Sequence, residues 1–310
     1  MTSGSESSAT HTSYRGGKPV EIVSGDGVRL RGEFFTGTSQ PDVAVVLSHA
    51  MLADRRSLDR PAGAGLLSTL RQWGVSVLWL DLRGHGQSDG RDWTYDDLVA
   101  DAGVAASYLR DLLPEATLVA VGHSLFGHAA LAYQAAHVDA TGRAVSYDRF
   151  AVLGSSVWAE RFEPSRRRWI AKRSIARFLD MILPPRGTFP ARRLRLGTDE
   201  SLQFLHQMAD WTRLGWSDLS GNSYATVLSQ VAVPILSIAG GGDGWLSHPD
   251  NQARFIGETV GPSTQITVGR NAGYDFDPGH MDLVLDPRMT PVWEQLADFV
   301  VTGILPPVTG

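Results

Sequence analysis

The sequence predicts an α/β fold, a mostly parallel sheet with helices on both faces and a helical segment inserted into it. Three observations carry this expectation. Apolar runs of strand length recur along the chain, among them Val43-Ala44-Val45-Val46-Leu47, Leu118-Val119-Ala120-Val121 and Phe150-Ala151-Val152-Leu153, as strands buried on both faces require. Stretches of helical periodicity separate them, and that alternation builds parallel sheets. From about residue 155 to 230 the alternation stops, over a length that needs helices of its own.

The composition bounds the rest. A chain of 310 residues that is 43% hydrophobic can bury a full core. Its formal net charge of -5 argues against a nucleic-acid partner. With no cysteine, disulfides, thiolate metal sites and cysteine nucleophiles are excluded. No window approaches the roughly 18–20 apolar residues of a membrane span, so no membrane partner is expected. Residues 1–17 are rich in Ser, Thr and Gly and offer little to bury, so they read as a disordered leader without a signal-peptide core. A cytoplasmic protein is the default expectation.

In order, residues 20–23 and 28–35 read as a hairpin about the Ser24-Gly25-Asp26-Gly27 turn. The 43–47 strand empties into Ser48-His49-Ala50-Met51. Leu66, Leu67, Leu70 and Trp73 share one helical face, closed by Gly74, and residues 75–80 form the next strand. Asp81-Leu82-Arg83-Gly84-His85-Gly86-Gln87-Ser88-Asp89 is a turn-rich loop. Thr94 can cap a helix carrying Leu98, Ala102, Ala105 and Leu109, with Pro114 beyond its end. Beyond the inserted stretch, residues 233–239 and 264–268 read as strands and about 291–301 as the last helix.

The centre of the chain is Leu118-Val119-Ala120-Val121-Gly122-His123-Ser124-Leu125-Phe126-Gly127, a strand that runs into a tight turn and then a helix. Such a bend exposes a serine hydroxyl beside the first N–H groups of the helix. This stretch resembles the nucleophile elbow of the α/β-hydrolase superfamily, Gly-x-Ser-x-Gly, with Phe126 where a small residue is usual and the glycine one position later. The Arg83-Gly84-His85-Gly86-Gln87-Ser88 turn resembles the same superfamily, where it serves as structure. The resemblance covers roughly 43–154 and 233–301. It implies an α/β-hydrolase fold, with the core at 18–155 and 231–310 and a helical cap at 156–230.

A serine needs a base, and the base needs a carboxylate to fix its tautomer. Among nine histidines His280 is the best placed, in a loop after the last strand, and Asp243 lies just past the strand before it. The order Ser, Asp, His is that of the superfamily. Asp275, Asp277 and Asp282 are the fallback acids. His123 reads as a packed elbow residue, His85 as a loop residue, and His248 has no evident partner. An oxyanion hole follows from the resemblance: the N–H of Leu125, and Met51 of His49-Ala50-Met51, with Ala50 second. Phe126, Ala50, Trp158 and Trp245 are candidates for the substrate pocket. The Ser124 elbow and the loops of His49, Asp243 and His280 all follow strands and open on the carboxyl edge, where ligands bind in such sheets.

Within the insertion, Ile175, Phe178, Leu179 and Ile182 form an apolar stripe, and Arg166, Arg173 and Arg177 share another face. A helix packed by its apolar side is one reading; a basic mouth for an anionic substrate is the other. No metal or other cofactor is expected. The resulting expectation is a serine hydrolase acting on a small-molecule ester or thioester through an acyl-enzyme. The alternatives are an acyltransferase or cyclising enzyme using the same triad, and a non-catalytic binding protein of this fold.

Overall fold

The computed structural model describes residues 16–38, 42–137 and 144–307. The leader expected over 1–17 lies, apart from Gly16 and Gly17, outside the described residues. Among the described residues ten strands and nine α-helices follow in chain order: β1 (Lys18–Val23), β2 (Arg29–Phe35), β3 (Val43–Ser48), α1 (Leu66–Gln72), β4 (Ser76–Leu80), α2 (Tyr95–Leu112), β5 (Thr117–His123), α3 (Leu125–His137), β6 (Arg149–Leu153), α4 (Arg166–Ile182), β7 (Thr188–Phe189), β8 (Glu200–Ser201), α5 (Leu202–Leu214), α6 (Tyr224–Val227), β9 (Ile235–Gly240), α7 (Pro249–Ile256), β10 (Ser263–Val268), α8 (Asp282–Leu285) and α9 (Thr290–Thr302).

Eight strands form one sheet in the order β1-β2-β4-β3-β5-β6-β9-β10. The hairpin β1–β2 joins it antiparallel, and every pairing from β4 to β10 is parallel. The continuous apolar runs land on the central strands, β3 being buried along its whole length. Two apolar layers cover the faces. Leu98, Leu109, Leu131 and Phe150 lie in one, with α2 and α3; Leu66, Leu70, Trp293 and Phe299 lie in the other, with α1 and α9. Thr94 caps α2 as expected, in a reciprocal box with Asp97.

From β3 the chain turns to β4 on one side and later to β5 on the other. The loops after β3 and β5 therefore diverge from neighbouring strands, which is where open α/β sheets bind ligands. The segment between β6 and β9 carries α4, the β7–β8 pair, α5 and α6. Among the described residues no helix is long and apolar enough to cross a membrane.

Helix α4 departs from the sequence expectation. Its packed side is Trp169, Lys172 and Ala176, whereas the apolar stripe is turned outward, with Phe178 56% exposed and Ile182 53%. The inward side seats on a polar network instead. Glu163 accepts from Lys172 Nζ at 2.9 Å, Asn251 Nδ2 at 2.9 Å and Arg168 Nε at 3.0 Å. Hydrophobic periodicity cannot anticipate a buried lysine.

Candidate active site

Ser124 sits between β5 and α3 with φ 52°, a left-handed conformation that is unusual for a residue with a side chain. Three contacts hold it there. Its N–H donates to Leu153 O at 2.8 Å, and its carbonyl accepts from His128 N at 3.3 Å and from Ser155 Oγ at 3.0 Å. The close approach of strand and helix falls on two glycines. A Cβ on Gly122 would lie 2.5 Å from Gly127 N and 2.6 Å from its Cα, so no larger residue fits. Helix α3 begins at Leu125, three residues earlier than the alanine-rich run alone suggests. The small residue is thus needed at Gly127, and Phe126 is free to turn away.

Phe126 turns into the core. Its ring is 1% exposed, within the layer between the sheet and α2 and α3, and it is not among the residues lining the cavity at Ser124. This corrects its assignment as pocket wall. The turn around Ser124 keeps its geometry with the ring buried.

Asp243 and His280, the acid and base nominated from the sequence, lie side by side. His280 Nδ1 and Asp243 Oδ2 are 2.6 Å apart. Asp243 also accepts from the N–H groups of Leu246 at 2.9 Å and Ser247 at 3.0 Å. Burial opposes its charge, yet the His280 bond and these N–H donors hold its carboxyl below the ordinary value of 3.8. An ionised carboxylate only accepts, so Nδ1 carries the proton and Nε2 presents a lone pair. Two of the three fallback acids serve elsewhere: Asp277 accepts from Arg270 N and Asp282 from Gly279 N.

The His280 ring lies over Gly154, where a Cβ would come within 3.1 Å of its Cε1. On its other side is His123, ring centroids 4.9 Å apart, whose Nε2–H donates to His280 O at 3.0 Å. Burial, with the nearby His280, pushes the His123 pKa well down, so that ring is a neutral prop.

Ser124 and His280 open on one cavity of about 730 Å³. They share no hydrogen bond in this structure; catalytic contacts of this kind often tighten only with substrate bound. Ala50, Met51, Leu125 and Trp158 line the same cavity. Trp245 does not: it packs edge-on against Trp158, 6.0 Å between ring centroids, so its assignment to the pocket is also corrected. The Met51 N–H finds no acceptor among the described residues, and the Leu125 N–H, first in its helix, lies outside the intrahelical ladder. Both donors belong to residues that line the cavity with Ser124. The Met51 loop is anchored by His49, whose Nδ1–H donates to Ala50 O at 2.8 Å and whose Nε2 accepts from Leu82 N at 3.1 Å. Burial, then the nearby His85, pushes its pKa down to about 3.

Three site neighbours escaped the sequence. Glu200 of β8 accepts from Leu52 N at 3.0 Å and lies 3.3 Å from His85 Nε2, although it is 148 residues from Leu52. Thr198 N donates to Leu52 O at 2.7 Å. His128, one turn past the serine, faces the cavity. His248, without an evident partner in the sequence, caps α7 by accepting from Asp250 N at 3.1 Å.

Comparison with known proteins follows this geometry. A family model described as serine aminopeptidase, S33, matches residues 39–186. No curated protein sequence matches the chain. Among solved structures, an esterase from Exiguobacterium antarcticum is similar, at 19% identity and TM-score 0.61, over 91% of this chain and 99% of that one. An esterase from Pyrococcus furiosus is similar at 16% identity and TM-score 0.59, over 93% and 90%. A thermophilic esterase from Thermogutta terrifontis gives 19% and 0.57, over 92% and 100%. With its parallel sheet and elbow, the chain has the α/β-hydrolase fold.

Proposed function

We propose that the protein is a serine hydrolase that cleaves an ester or thioester through Ser124, His280 and Asp243. The observation that carries the reading is the 2.6 Å His280–Asp243 pair opening on the same cavity as a left-handed Ser124. His280 Nε2 takes the Ser124 Oγ proton as Oγ attacks the substrate carbonyl. The oxyanion is met by the Leu125 and Met51 N–H groups, a contribution of about 3–4 kcal/mol for each such donor. His280 then passes its proton to the leaving alcohol or thiol, and the acyl group stays on Oγ. Water, deprotonated by His280, attacks this acyl-enzyme and returns the serine.

The lining favours a largely apolar acyl compound. Leu125, Val157, Trp158, Leu183, Phe204 and Met208 are among its members. Arg166, Arg173 and Arg177 are exposed on α4 and absent from the lining, so nothing in the cavity supports selection of an anion by them. The test is a panel of nitrophenyl esters and acyl thioesters of varied chain length, with fluorophosphonate labelling of Ser124. Turnover and labelling that vanish in Ser124→Ala are expected. A wild-type protein that neither labels nor turns over any member would overturn the reading.

A further inference from the structure

The cavity is lined by a buried histidine that the triad does not use. His128 is on α3, one turn past Ser124, and is 6% exposed. Its ring lies beside Tyr95 with centroids 5.4 Å apart, and is met edge-on by Trp211 and Trp216, each at 6.4 Å. His128 Nδ1 is 2.9 Å from Tyr95 Oη. Nε2 has no partner among the described residues, on a side chain that lines the cavity with Phe204, Met208 and Trp211.

The direction of the Tyr95 bond settles what Nε2 offers. Tyr95 is fully buried, and His128 Nδ1 is the acceptor within reach of its hydroxyl. If Nδ1 carried the proton, the phenolic hydrogen would be a second donor buried without an acceptor, which costs about 1–3 kcal/mol. Tyr95 therefore donates to Nδ1, and in the neutral ring the proton sits on Nε2. Burial, with the nearby His280, pushes the His128 pKa down to about 3, so the ring stays uncharged and offers no ion pair to a carboxylate.

We infer that His128 is a substrate-binding residue whose Nε2–H donates to a neutral acceptor oxygen, carbonyl, ether or hydroxyl, carried on the otherwise apolar part of the substrate. Both side chains line one cavity a turn apart, so that oxygen falls within a few bonds of the carbonyl under attack. The inference rests on the proposed hydrolase reading for its scissile bond, though not for the contact itself. A site built around an unpartnered buried donor discriminates against ligands that lack the matching acceptor.

The experiment compares nitrophenyl octanoate with esters in which successive chain methylenes are replaced by an ether oxygen or a keto group. Without the contact every replacement lowers kcat/KM, because apolar area becomes polar. With it, one position stands out with kcat/KM about tenfold above octanoate, the size of a neutral hydrogen bond. In His128→Leu the advantage at that position is lost, and His128→Gln, which keeps a donor, restores part of it. A flat or uniformly falling wild-type series, or an advantage that survives in His128→Leu, overturns the role. If a variant does not fold, the wild-type series decides alone. Thermal stabilisation by matched unreactive ketones, with and without a second oxo group, reads the same preference without turnover. A catalytically silent protein showing that preference overturns the hydrolase reading alone; a reactive protein lacking it overturns the role of His128 alone.

Discussion

Phe126 shows how a single side chain can leave a family pattern without disturbing the site. Because Gly122 and Gly127 make the close contact, the phenyl ring belongs to the core and not to catalysis. Phe126→Ala should destabilise the fold by about 3–5 kcal/mol in denaturant titrations and leave chain-length preference where it was; a shift in preference without loss of stability would return the ring to the pocket. Asp243 carries the opposite kind of weight. Asp243→Asn should lower kcat by about 10⁴ through the wrong imidazole tautomer. Its folded pKa is depressed below 3.8, so its contribution to stability is present above that value and is lost as pH falls through the folded one. Acid unfolding below about pH 4 should accordingly be less steep in the Asn variant. Ser124, Leu125, Met51 and Asp243 could be nominated from the sequence because each lies just past an apolar strand, and His280 because it lies in the longer loop after the last strand. His128 and the direction of Phe126 were not, since both depend on what packs over α3 from α2 and α5.

At the scale of elements, the sheet strands read directly from apolar runs, and the hairpin from alternation and its turn residues. Helix α4 did not. Its period announces Ile175, Phe178, Leu179 and Ile182 as the inner face, yet Trp169, Lys172 and Ala176 face inward and Glu163 meets Lys172. Amphipathicity marks which face is apolar; the neighbours decide which face is covered. The consequence is measurable. Phe178→Ser should change stability by less than about 0.5 kcal/mol. Lys172→Met, which strips a buried carboxylate of its ammonium partner, should cost about 3 kcal/mol. The reverse ranking in thermal or denaturant melts would mean that the apolar stripe is the packed one.

Across the whole molecule, the insertion between β6 and β9 reaches back to the loop after β3, which is proposed to supply an oxyanion donor. Leu52 is left-handed, with φ 59°, next to the Met51 donor. It is held by Glu200 at its N–H and by Thr198 at its carbonyl. Glu200 also faces His85, whose Nδ1–H donates to Arg83 O at 2.9 Å. Burial alone would discharge His85, but the Glu200 charge beside it raises its pKa above 6.5. A group raised on folding stabilises fully below its unfolded value, and the gain is lost as pH rises through the folded one. The wild-type protein should therefore lose stability as pH is raised above 6.5, while Glu200→Gln, which keeps an acceptor for Leu52 but no charge for His85, should be flatter over that window. Glu200→Ala removes the acceptor as well. Freed from its tie, Leu52 can leave the left-handed region and take the Met51 N–H with it, so kcat should fall by up to about 10²–10³ with KM little changed, as when one oxyanion donor is lost. If Glu200→Ala instead raised KM at constant kcat, the insertion would be shaping the substrate pocket and not the oxyanion hole.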